Sequence, residues 1–117
     1  MTISSAILVC DRDRLFREAL RNFLLAAGYS QMEVVATARE AMAKLRRQSY
    51  GHIFIGLVRP FSRARRLAVI AQRRQPQAKI FLLTNANDVV IFPADSSAYV
   101  IKEHAFESLL NLLNDSR

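Results

Sequence analysis

The stretch Ile7-Leu8-Val9-Cys10-Asp11-Arg12-Asp13-Arg14-Leu15-Phe16-Arg17-Glu18-Ala19-Leu20 decides the fold. Four apolar residues in a row, without polar alternation, read as a strand buried on both faces. The run stops at Asp11-Arg12-Asp13. Apolar residues then recur at helical spacing, as Leu15, Phe16, Ala19, Leu20, Phe23, Leu24 and Ala27, and the stripe closes at Gly28. A doubly buried strand feeding an amphipathic helix opens a βαβ unit, whose next strand lies parallel to the first.

Outward from that stretch the same grammar repeats. Val34-Val35-Ala36 reads as a second strand, and Thr37 with Glu40 makes a capping box for a helix whose apolar face is Ala38, Ala41, Met42 and Leu45. His52 to Val58 reads as a third strand, broken by Arg59-Pro60. A helix from about Arg63 to Arg74 turns Leu67, Ile70 and Ala71 inward, and Pro76 follows its end. Lys79 to Thr84 and Ala98 to Ile101 are strands four and five, and Ala105 to Leu113 is the closing helix. The pattern predicts an α/β domain with a doubly wound parallel sheet. Only Asn85 to Ser97 breaks the rhythm. Its β-branched residues, Pro93 and turn formers stand where a helix is due, so at most a single turn is expected.

A chain of 117 residues is one domain, spanning 1–117. At 51% hydrophobic residues it builds a core without disulfides or a metal, and its single cysteine, Cys10, sits within an apolar run. No apolar stretch approaches the roughly 18 residues of a membrane span, and Met1-Thr2-Ile3-Ser4-Ser5 lacks the pattern of a secretory leader. A cytoplasmic domain with no membrane contact is expected. Seventeen basic residues, fourteen of them arginine, face ten acidic ones, for a net charge of +7. Such an excess attracts acidic partners. No aromatic residues interleave with the arginines, as stacking on single-stranded nucleic acid needs, so the first reading spreads them over solvated helix faces. Arg59, Arg63, Arg66 and Arg73 fall on one side of the third helix as a basic ridge, again read first as a solvated face.

In open α/β sheets the functional crevice lies at the carboxyl ends of the strands. Those ends carry Asp11-Arg12-Asp13, Gly56-Leu57-Val58, Thr84 and Lys102. In order and spacing these residues, with the opening stretch and Tyr50 to Pro60, resemble the receiver domain of two-component response regulators from about residue 6 to 113. The opening stretch is most similar to receivers that carry a LuxR-type helix-turn-helix output domain. The resemblance implies a flavodoxin-like fold of five strands in the order 2-1-3-4-5. The Thr84-to-Lys102 spacing is about one helical turn short of the family's, which implies a fourth helix shortened or absent. The resemblance also implies roles. In ordinary receivers an aspartate on strand three takes the phosphoryl group and carboxylates after strand one hold a divalent ion. Thr84 matches the hydroxyl residue of strand four, Tyr99 the switch aromatic and Lys102 the lysine of strand five.

The departures concern the chemistry itself. Gly56 occupies the phospho-acceptor position and can form no acyl phosphate. The acidic pair after strand one keeps Asp11 but has Arg12 as its second member, which removes the charge density a hard cation needs. Glu103 replaces the usual proline. What is left is a degenerate pocket of Asp11, Arg12, Gly56, Thr84 and Lys102, with no catalytic residue, no metal and no cofactor expected. Arg12 either pairs with Asp11 in the vacated metal space or points to solvent. Lys102 either pairs with Asp11 or is open to an anion. Asp13 reads as a helix N-cap, and His52 and His104 as structural.

Function follows in that order. The leading reading is a signalling interaction module, a pseudo-receiver contacting a protein partner or itself without a phosphorylation cycle, and regulating transcription where an output domain accompanies it. The alternative is a module that binds a small anion or metabolite in the space Gly56 leaves. Direct nucleic-acid binding ranks third, because no recognition motif is present, and an enzyme last, because no nucleophile–base pair can be assembled. Ile91, Phe92 and Tyr99 form the expected interface, through which a homodimer would be two-fold.

Overall fold

The structure is a computed structural model and describes residues 6–57, 62–85, 97–102 and 106. Its elements are β1 (Ile7–Cys10), α1 (Arg14–Ala26), β2 (Met32–Val35), α2 (Ala38–Arg47), β3 (His52–Gly56), α3 (Ser62–Arg74), β4 (Lys79–Thr84) and β5 (Ser97–Ile101). Four strands make a parallel sheet in the order β2-β1-β3-β4, and β5 runs parallel beside β4, with Ile80 opposite Ser97 and Thr84 opposite Ile101.

The period-two alternation of the strands sorts their side chains into two cores. Leu8, Cys10, Ile53, Ile55, Ile80 and Leu82 face one side, where Ala41 and Leu45 of α2 and Ala64, Leu67 and Ala71 of α3 cover them. Ile7, Val9, Phe54, Phe81, Leu83 and Val100 face the other, under Leu20 and Leu24 of α1. Because both faces are covered, these strands carry apolar residues at nearly every position. That is why the unbroken run at residues 7–10 was informative.

Local chemistry sets the helix ends. Asp13 caps α1 by accepting from the Phe16 N–H at 3.2 Å. At the other end Gly28 adopts φ 100°, and the Gly28 and Tyr29 N–H groups donate to the Leu25 and Leu24 carbonyls. This is a left-handed stop that a residue with a side chain adopts only with strain. Thr37 and Glu40 form the expected capping box of α2.

Several strand boundaries differ from the sequence reading. β2 runs over Met32–Val35, two residues earlier than its start at Val34, and excludes Ala36. Its first three residues are only half-buried at the sheet edge, so Met32-Glu33 lacks a core-strand signature. β3 stops at Gly56. Leu57 still donates to the Leu83 carbonyl at 2.8 Å before the chain leaves the sheet, and Val58 lies outside the described residues. The stretch 86–96, where a shortened helix was expected, also lies outside them, as does the closing helix apart from Phe106.

Candidate functional site

The site is assembled where β1, β3, β4 and β5 end together. The Asp11 N–H donates to the Val35 carbonyl at 3.1 Å, which fixes the first residue beyond β1 against β2. Its carbonyl accepts from Nη1 of Arg17 at 2.9 Å, one helical turn into α1. Held from both sides, the Asp11 side chain is fully buried. Oδ1 accepts from the Asp13 N–H at 2.8 Å. Oδ2 takes no conventional hydrogen bond and instead faces Nζ of Lys102 at 2.8 Å. The ammonium also lies 4.6 Å from the centre of the Phe16 ring, a cation–π contact on its far side. Lys102 follows β5 directly, and its side chain is 12% exposed. A buried charge is tolerated only when paired. Here each charge compensates the other.

Gly56 explains why Asp11 can sit there. A β-carbon built on Gly56 would lie 2.4 Å from Oδ2 of Asp11 and 2.6 Å from its Cγ. Carbon and oxygen do not approach so closely, so the carboxylate occupies the room that a side chain at position 56 would claim. Asp11 therefore fills the room of a side chain at 56, and Lys102 is committed to an ion pair. Thr84, at the end of β4, is buried, with its hydroxyl donating to the Asn85 carbonyl at 3.3 Å.

Of the two readings of Arg12, pairing with Asp11 is not the one observed. Arg12 is exposed and makes no ion pair with Asp11 or with any other described residue. Asp11 is satisfied from the opposite direction, by Lys102 and the Asp13 N–H. Arg12 borders a cavity of about 210 Å³ that Asp11 and Gly56 also line, between the ends of β1 and β3, the start of α2 and the side of α3. Its floor is largely apolar, with Cys10, Ala36, Ile55, Ala64 and Leu67, and Arg39 and Arg63 stand at its edge beside Arg12. Sequence reading expected space beside Gly56 with Arg12 near it, but not the walls from α2 and α3, which come from separated elements. Cys10 is buried there and its thiol is pushed up to about 12, first by burial and then by the carboxylates of Asp11 and Glu40. It stays protonated and unreactive at neutral pH. No group of three metal-ligating side chains occurs among the described residues. Ile91 and Phe92, and the side chain of Tyr99, lie outside the described residues.

No protein-family model and no curated protein matches the chain. Solved structures do. A response regulator receiver domain (CheY-like) from Methylobacillus flagellatus is 19% identical with a TM-score of 0.81, covering 97% of this chain and 99% of that one. The response regulator TrrA from Thermotoga maritima, in complex with Mg²⁺–BeF, is 26% identical with a TM-score of 0.78, again over 97% and 99%. A structure of the histidine kinase ThkA in complex with TrrA matches at 24% identity and a TM-score of 0.77, over 96% and 97%. The chain has the fold of CheY-like receiver domains.

Proposed function

We propose that this chain is a signal-transduction interaction module, a receiver-like domain that works through protein contacts and not through an aspartyl-phosphorylation cycle. The observation that carries this reading is the carboxylate of Asp11, seated in the room of the position-56 side chain and paired with Lys102 at 2.8 Å. In a phosphorylated receiver the lysine meets a charge that comes and goes. Here it already meets the carboxylate of Asp11 at 2.8 Å, without any phosphoryl group. The fold supports the signalling role, and TrrA bound to a histidine kinase is one example of a receiver domain meeting a protein. A partner protein or a second copy of this chain is the proposed contact, in the cytoplasm, with no catalytic step. Regulation of transcription through an associated LuxR-type output domain belongs to the same reading, as does a sheet whose fourth helix is reduced. The alternative, a small anion or metabolite held beside Gly56, has a cavity of about 210 Å³ that Gly56 lines with Arg12, Arg39 and Arg63, but Lys102 is taken up by Asp11 at 2.8 Å and is not free to serve it.

Intact-mass measurement after incubation with acetyl phosphate or phosphoramidate and Mg²⁺ tests the proposal. The expected result is an unchanged mass. An adduct of one phosphoryl group on an aspartate overturns it. Gly56→Asp alone is expected to leave the mass unchanged too, because a side chain at 56 collides with Asp11 before it can meet phosphorus.

A further inference from the structure

The positive charge of this chain is not spread over it. α2 carries Arg39, Lys44, Arg46 and Arg47, and α3 carries Arg63, Arg65, Arg66, Arg73 and Arg74. These two helices hold nine of the 17 basic residues and one of the ten acidic residues, Glu40, leaving eight basic and nine acidic for the rest of the chain. Two neighbouring helices therefore carry a charge of +8, and the remainder, at −1, is close to neutral. Both pack on the same face of the sheet, so their outer sides look the same way. Their eight arginines are all exposed.

Two contacts fix the arrangement further. Lys44 pairs with Glu33 of β2 at 3.2 Å, so that flank of α2 faces the sheet edge. Helical spacing then puts Arg39 and Arg46 on the opposite flank, toward α3. Arg39 and Arg63 border one cavity, so the Arg63 flank of α3 faces α2, and Arg74, three turns on, shares that flank. Arginines thus wall the α2–α3 groove from both sides, with Arg47, Arg66 and Arg73 on the outer crests. Lys44 and Arg65 apart, none of these basic side chains has a hydrogen-bond or ion-pair partner among the described residues.

We infer that the α2–α3 face binds the phosphodiester backbone of nucleic acid without reading its bases. A protein partner would need apolar or aromatic anchors at the centre of the patch. Neither helix contains an aromatic residue, and Val69 is the only large hydrophobic on them that stands exposed. A phosphate backbone needs none of this; it needs spaced cations that release its counterions. Eight arginines to one lysine suits that role, since a guanidinium forks onto phosphate oxygens with two N–H donors. The lone acid, Glu40, is held in the capping box by the Thr37 N–H and hydroxyl, at 3.2 and 3.0 Å. The sequence ranked nucleic acid third for want of a recognition motif, but binding to the backbone alone uses none.

Fluorescence anisotropy with a labelled duplex of mixed sequence, titrated from about 20 to 200 mM salt, tests this. The 117-residue chain should bind at low salt, with log affinity falling linearly in log salt and two unrelated sequences bound equally. Arg47→Gln/Arg66→Gln/Arg73→Gln should lose at least tenfold in affinity, its salt slope becoming shallower by about 0.9 per phosphate contact removed. Arg14→Gln/Arg21→Gln/Lys79→Gln removes as many charges elsewhere and should change affinity less than twofold. Circular dichroism confirms that both variants fold. The inference is overturned by no binding at low salt, by an equal loss in the control variant, or by a strong preference for one sequence. It is overturned as well if polyglutamate competes as effectively as unlabelled duplex at equal charge, which would assign the face to an acidic protein.

Discussion

At position 56 the absence of a side chain is a structural requirement of this chain, because the carboxylate of Asp11 lies where a β-carbon would be. Gly56→Ala should therefore drive Asp11 off Lys102 and lower stability by about 2–3 kcal/mol in urea titrations, as overpacking and a broken buried pair together cost. In an Asp11→Ala background the same substitution should cost close to nothing. Equal cost in both backgrounds would mean that the two residues do not compete for space. The pair itself obeys the same logic. Lys102→Met should cost about 3 kcal/mol by baring a buried carboxylate, and Asp11→Asn added to it should restore much of the loss. His52 gives the pH dependence. Burial, and then the charge of Lys79, lower its pKa from 6.5, so the folded chain resists protonating it while the unfolded chain does not. Its contribution is fully present above about 6.5 and is lost as pH falls through the folded value. The thermal midpoint should fall between pH 7.5 and 5, and fall less in His52→Asn. Much of this was legible in the residues. The strand ends named Asp11, Gly56, Thr84 and Lys102, and the Asp11–Lys102 pair was one of two open readings. The meeting of Gly56 with Asp11 was not, since it joins two strand ends far apart in sequence. For Arg12 two readings stood open, and the exposed side chain agrees with the solvent-facing one, because the turn after β1 makes no ion pair to Asp11.

At the scale of elements, the strands that were easiest to read are those buried on both faces, β1, β3 and β4, where every position is under the same apolar demand. β2 was harder. Three of its four residues are only half-buried at the sheet edge, and Glu33 serves there as the partner of Lys44. Local stops were also readable, because Gly28 and the Thr37–Glu40 box act within one turn of themselves. What no local pattern could show is the strap made by Gln75, just past the end of α3. Its Oε1 accepts from the Tyr50 N–H at 2.7 Å, and its Nε2 donates to the Leu45 and Gln48 carbonyls at 3.2 and 2.8 Å. One amide thus ties α3 to the end of α2 and the start of β3. Gln75→Ala strands a partly buried N–H and two carbonyls, and should cost about 2 kcal/mol. Hydrogen exchange at the Tyr50 amide should speed up far more than at the amides of β4. Uniform acceleration across the sheet would show that Gln75 contributes only to global stability.

For the molecule as a whole, the sequence supplied the net charge but not its distribution. Composition counts arginines; only the packing of α2 beside α3 shows that they share one side. That segregation has a thermodynamic consequence independent of any ligand. Like charges on two adjacent helices repel across distances comparable to the screening length, which is about 10 Å at 0.1 M salt. The fold holds them together against that repulsion, and the unfolded chain lets them separate. Added salt should therefore stabilise this domain, where an isolated surface ion pair would be weakened by it. Between about 20 and 200 mM sodium chloride the thermal midpoint should rise by roughly 2 °C, which corresponds to about half a kcal/mol for a domain of this length. Arg47→Glu or Arg66→Glu should raise the low-salt midpoint and flatten the dependence, because each places an acid among the arginines. Arg21→Glu, on α1 at the other face of the sheet, should leave the dependence close to that of the parent. If the Arg21 and Arg47 variants flatten it equally, total charge and not its concentration on one face sets the response. A midpoint that falls with salt would instead show that attraction between unlike charges dominates this fold.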